Sequence, residues 1–178
     1  RAANLIDEGI DVALRRAHLA DSTLVAIRVC AVSRVVAAAP RYLAQHPKIA
    51  DPSDLALHQI IAMTHFGLDS WTFPPLAGST VPRSVALSPR LVVNSIRAAV
   101  ASAVEGRGVT RMFSYHVARE VCAGTLEILL ADDEFPALPV HLVSPHGRLS
   151  VPKVRAFVDF AVPRLRPAFA LLSGKTTA

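Results

Sequence analysis

The chain has 178 residues, 52% hydrophobic and 19% charged, with 19 Lys and Arg against 14 Asp and Glu for a formal net charge of +5. So much apolar material excludes a disordered segment, because burial offsets the entropy lost on ordering, and folding at this length hides about 70% of the extended surface. The cations are scattered along the chain rather than gathered in a run or interleaved with aromatics, which argues against a nucleic-acid-gripping surface in this segment.

The opening Arg1 to Gly9 reads as the tail of a helix, with Ala2, Leu5 and Ile6 on one face and Gly9 just past its end. From a helix that starts in mid-pattern, the chain is expected to be a fragment with an upstream part missing. Ile10 to Leu14 alternates as a buried strand and ends at Arg15 and Arg16. Leu24 to Val29 and Ser33 to Ala38 are further strands. Pro40 opens a short helix reaching Gln45, and Asp51-Pro52-Ser53-Asp54 supplies a cap, a first-turn proline and an acid for another. Gln59 to Met63 is a buried strand. A Gly-, Ser- and Pro-rich stretch then runs from Gly67 to Pro89, with short strands at Trp71–Phe73 and Arg83–Leu87.

Arg90 to Val93 is a strand, and Asn94-Ser95 caps the helix after it. Ile96, Ala99, Val100, Ala103 and Val104 recur at helical spacing, and Gly106 closes the segment. Val109 to Phe113 is a strand. Ser114 is the predicted cap of a helix that turns Val117, Ala118, Val121 and Cys122 inward. Leu126–Leu130 and Val140–Val143 are strands on either side of an acidic loop, where Asp132-Asp133-Glu134 reads as solvated. The last helix starts near Pro152 with Val154, Phe157, Val158, Ala161 and Val162 on one face, and Pro163 should kink or end it. The tail after Leu172 is expected to be loose. Strands alternating with helices imply a largely parallel sheet covered on both faces.

Chemistry in such sheets sits beyond the carboxyl ends of the strands, at helix N-termini that favour anions. Arg15, Arg16, Thr64, His65, Asn94, Ser95, Ser114 and Ser144 occupy those ends; for Asn94, Ser95 and Ser114 plain helix capping is the stronger reading than ligand contact. Catalysis has no support: there is no G-x-S-x-G elbow, no P-loop and no G-x-G-x-x-G after a strand. The 7 histidines lack metal-ligand spacing, so no metal and no cofactor are expected. Trp71 and Phe73 suit core packing better than a pocket wall. Cys30 and Cys122 are far apart and read as small apolar core residues in a reducing cytosol, with a disulfide left open. No stretch is long and apolar enough to span a membrane, and no signal peptide opens the chain.

Glu8 to Arg15, Asp21 to Ala26, Ala39 to Leu43, Asp54 to His58, Trp71 to Phe73, Arg90 to Asn94, Gly106 to Arg111, Leu138 to Val143 and Lys153 to Phe160 together resemble, in this order, the effector domain of LysR-type transcription regulators. The resemblance implies an α/β fold of two Rossmann-like lobes, the type II periplasmic-binding-protein-like architecture, joined by two crossover strands. One lobe would be 1–32 plus 137–178 and the other 33–136, with the DNA-binding winged helix-turn-helix outside this chain. It implies a cytoplasmic homodimer or tetramer that binds a small-molecule effector between the lobes and reaches DNA only through the missing domain. Carried over by position, the effector contacts would be Arg15, Arg16, Thr64, His65, Phe66, Asn94, Ser95, Thr110, Arg111 and Ser114. The arginines and helix N-termini favour an anionic effector. Where many members have Leu-Pro after the Gly-x-Gly, this sequence has Thr110-Arg111-Met112-Phe113-Ser114, so Arg111 either pairs within the fold or reads the effector's charge. A periplasmic-type solute-binding protein is the alternative; an export signal or a helix-turn-helix in the whole gene would separate the two.

Overall fold

The computed structural model describes residues 5, 7–16, 24–64 and 66–172. Its strands are β1 (Ala13–Arg16), β2 (Leu24–Val32), β3 (Arg34–Ala38), β4 (Ile60–Met63), β5 (Ser70–Phe73), β6 (Arg83–Ala86), β7 (Pro89–Val93), β8 (Val109–Phe113), β9 (Glu127–Leu129) and β10 (Leu138–Pro145). Its helices are α1 (Pro40–Leu43), α2 (Ile96–Val104), α3 (Ser114–Cys122) and α4 (Pro152–Leu172), with 3₁₀ turns at Pro52–Leu57, Ala131–Asp133 and Arg148–Ser150. The chain divides into two compact units, Arg1–Val32 with Ala137–Ala178 and Ser33–Pro136.

In the unit Ser33–Pro136 a five-stranded sheet has the order β7-β4-β8-β3-β9. Continuous apolar runs need cover on both faces, and β3 and β4 receive it. Val36, Ala38, Ile60 and Ala62 pack on Tyr42, Leu55, Trp71 and Phe73. Val35, Ala37, Ile61 and Met63, one residue out of phase, pack on Ala99, Val100 and Ala103 of α2 and on Val117 of α3. Trp71 and Phe73 are therefore core. At the start of β8 the backbone passes so close to Gln59 that a Cβ on Gly108 would stand 2.2 Å from the Gln59 carbonyl oxygen, at a φ of +149°. Next to that contact the Tyr42 hydroxyl accepts the Gln59 N–H (2.9 Å) and lies 3.1 Å from Nδ1 of buried His58. Burial, helped by the nearby His46, holds the His58 pKa below its ordinary value against the opposing pull of Asp54.

In the other unit β10 lies between β1 and β2. Val29 and Leu142 pack against Val154, Val158, Ala161 and Val162 of α4.

Several sequence expectations change. The sheets are parallel only across β7, β4 and β8; β3 is antiparallel to both neighbours, and the three-stranded sheet is antiparallel throughout. The alternation rule assumes that each helix returns the chain to the sheet it left. Here β2 runs into β3 across Ser33, and β10 brings the chain back, so these strands meet their neighbours in the opposite sense. Helix α4 continues past Pro163 and Pro167, both on its exposed side, where the lost backbone bonds face water. Phe157 leaves the predicted inner face and is 52% exposed. Cys122 is exposed rather than inward, and both thiols are free. The opening helix (Ala2, Ile6), His18, His65 and the tail 173–178 lie outside the described residues.

Candidate functional site

The parallel register of β4, β7 and β8 ends three strands on one edge. Met63 stands opposite Val93, and Ile61 opposite Thr110. Past the ends, the Thr64 N–H donates to the Val93 carbonyl at 3.1 Å, and the Phe66 N–H turns back to Met63 at 3.0 Å. Ser95 is the N-cap of α2, its side-chain oxygen accepting the Ala98 N–H at 3.5 Å. Helix α3 begins one residue beyond β8. Thr64, Phe66, Asn94, Ser95 and Ser114 are thus brought to one edge, where Thr64, Asn94 and Ser95 are exposed.

An aromatic cluster seals the β4–β8 side of this edge. The Phe66 ring meets Phe113 edge-on at 5.5 Å and His116 at 6.3 Å. Phe113 stacks with Tyr115 at 5.9 Å, and Tyr115 meets His116 at 4.1 Å. The Arg34 guanidinium carbon lies 5.9 Å from the Phe113 ring centre, within range of a cation–π contact. Sequence reasoning missed Phe113, Tyr115 and His116 as site residues. Their signal was a strand running straight into a helix, which turns the last strand residue and the first helical turn toward the same edge.

The predicted cap at Ser114 is not formed. The cap position is Phe113, no side chain closes the helix end, and the Ser114 N–H donates to the Ser33 carbonyl at 2.9 Å. Ser114 is already helical, so its hydroxyl cannot reach forward as a cap does. The N-terminus of α3 therefore begins at this edge without a side-chain cap. A groove of about 770 Å³ between α2 and α3 also reaches His116 and Ile96, but it runs along the outer helix faces rather than over the strand ends.

The remaining sequence-predicted contacts lie elsewhere. Thr110 is fully buried and donates its hydroxyl hydrogen to the Ile61 carbonyl at 3.2 Å. Arg111 is paired within the fold: Nε and Nη2 donate to the two carboxylate oxygens of Glu134 at 2.7 and 2.6 Å, and Nη1 donates to the Thr72 carbonyl at 3.0 Å. Its guanidinium also lies over the Phe73 ring at 4.2 Å, and both partners of the ion pair are buried. The acidic loop expected to be solvated is thus a fastening, and its Asp133 pairs with Arg83, which also holds Asp51. Arg15 and Arg16 sit on β1 in the other unit. Among the described residues no group of three or more His, Cys, Asp or Glu could hold a metal ion.

The sequence pattern described as LysR substrate binding domain matches residues 1–166. The chain is 32% identical over 158 residues to the HTH-type transcriptional regulator PtxR of Pseudomonas aeruginosa, covering 88% of this chain and 50% of that protein. Among solved structures, CrgA, a LysR-type transcriptional regulator from Neisseria meningitidis, superimposes with a TM-score of 0.71 at 28% identity, covering 91% of this chain and 54% of that one. The regulatory domain of AphB from Vibrio vulnificus, treated with cumene hydroperoxide, gives 0.74 at 25% identity, covering 88% and 76%. The chain spans about half the length of the curated relatives it matches.

Proposed function

Because the chain belongs to the LysR substrate binding domain family, we propose that it takes its effector, in part, at the carboxyl edge of β4, β7 and β8. The fold is the two-lobed, type II periplasmic-binding-protein-like α/β architecture, and the chain is an effector-binding domain of a LysR-family regulator. The observation that carries the site is the shared end of three parallel strands at two helix N-termini, one of them without a side-chain cap. The helix dipoles favour an anionic or strongly polar group there, while Phe66 and Phe113 offer an apolar wall. Arg111 is left out of this reading, since Glu134 already neutralises it. Thr64, Asn94, Ser95 and Ser114 supply the polar contacts.

The domain would bind its effector without turning it over, and the whole regulator would act in the cytoplasm as a homodimer or tetramer, reaching DNA through a segment outside this chain. Binding needs to shift the DNA-bound equilibrium by only about 1–3 kcal/mol. A panel of small carboxylates and phosphates, screened by thermal shift, tests the site. At least one compound should raise the melting temperature, with affinity falling about tenfold in Phe66→Ala and more weakly in Ser95→Ala. A hit whose affinity neither substitution changes would move the effector away from this edge.

A further inference from the structure

Helices α2 and α3 leave a groove of about 770 Å³ between them, a volume within the range of small-molecule sites. Strands β7 and β8 both run parallel to β4, so the helices that follow them start from one edge and descend side by side. Residues three or four apart on a helix share a face, and both walls show that spacing. Arg97, Ala101 and Glu105 follow one another along α2 and its end, and His116, Arg119 and Ala123 along α3 and its end. Val100 and Val104 add apolar surface. Ala101 and Ala123 are exposed and stop at Cβ, which keeps open the width that longer side chains would fill.

The charges on these walls do not cancel. Glu105 is held by Arg41 at 3.0 Å, and the Arg41 Nε also donates to the Val104 carbonyl at 3.0 Å. Arg97 and Arg119 are exposed, and neither side chain has an ion pair or hydrogen bond among the described residues. Against them stands the carboxylate of Glu120, which lines the groove next to Arg119 but is turned about 100° from it around the helix. The rim is therefore net cationic. The planar fork of an arginine meets both oxygens of a carboxylate at once. The lining runs the length of α2, 9 residues or about 14 Å at the helical rise, which suits a small molecule better than a protein chain.

We propose that this groove is a ligand site separate from the strand-end edge, taking a small amphipathic anion. The carboxylate meets the guanidiniums of Arg97 and Arg119, and the apolar chain lies against Val100 and Val104. The site uses none of Thr64, Phe66, Asn94, Ser95 and Ser114, so it and the effector edge can fail independently.

Titration of the chain with octanoate, butanoate and octylammonium at constant ionic strength tests the proposal, with the backbone amides of α2 and α3 followed by NMR. Octanoate should move those signals saturably. Each buried methylene raises affinity about fourfold, so butanoate should bind about tenfold more weakly or worse. Octylammonium should not saturate. Arg119→Gln removes a charge and Ala101→Leu fills the groove, both at exposed positions, and each should lower octanoate affinity about fivefold or more. Phe66→Ala should leave it unchanged. Octanoate that fails to saturate, octylammonium that binds as well, or affinity kept in both groove variants would overturn the proposal. So would a loss in Phe66→Ala alone, which would place the binding at the strand-end edge.

Discussion

The buried carboxylate of Glu134 makes a fixed demand on the fold. Replacing it with Gln leaves the Arg111 charge enclosed and half satisfied, and loss of one partner of a buried pair costs about 3–5 kcal/mol. Glu134→Gln should therefore lower the unfolding free energy by an amount in that range, measured by urea denaturation. The double variant Arg111→Met with Glu134→Leu should recover much of it, since apolar replacement removes the desolvation cost as well. Arg111 could be read from the sequence as a cation in a buried strand that needed a partner. Glu134 could not, because three acids in a row before Phe135-Pro136 look like any solvated loop until tertiary structure closes over one of them. His58 titrates differently. Its pKa is lowered by burial, so the folded state prefers the neutral ring. The stability this confers is whole above the ordinary imidazole value of about 6.5 and is lost as the pH falls from there toward the lowered one. Melts at descending pH should show a loss in the wild-type chain that His58→Gln lacks, the acids that titrate lower being common to both.

At the scale of elements, the close approach of β8 to Gln59 admits only glycine. Gly108→Ala must both push the Gln59 carbonyl aside and hold a residue at a φ of +149°, a strain of the order of 1–3 kcal/mol or more. A clear fall in melting temperature is expected, and a neutral result would mean that the two strands can separate there without cost. Elements with strong periodicity were legible in advance: α2 came from its apolar spacing and the Ser95 cap, and β3 and β4 from runs of residues that suit burial on both faces. Strand direction was not legible. Periodicity reports which face is apolar, whereas the sense of β3 and β10 depends on where the chain came from. The edge at Thr64, Asn94 and Ser95 was foreseeable because strand ends followed by caps are visible in sequence. The aromatic cluster beside it was not, since Phe66 and Phe113 meet only once β4 and β8 lie side by side.

For the molecule as a whole, no single motif identified the family; an ordered set of weak ones did. Each short segment is a common strand end or helix start, and only their succession over the chain is specific. The two units differ in how they are assembled from that succession. Ser33–Pro136 is one unbroken stretch, while its companion is made from both ends of the chain. Among the described residues, strands β1 and β2 make no ladder with each other, and each pairs with β10.

That arrangement carries a timetable for synthesis. As the nascent polypeptide leaves the ribosome, the continuous stretch holds all its own partners and can consolidate early, whereas β1 and β2 must wait unzipped until β10 emerges. A chain stopped after Pro136 should protect its amides against hydrogen exchange across β3, β4 and β8 while 13–32 exchange freely; protection of both would mean that the early strands find a stand-in. In the cell, the interval before β10 arrives is when these strands are most open to chaperones and to aggregation.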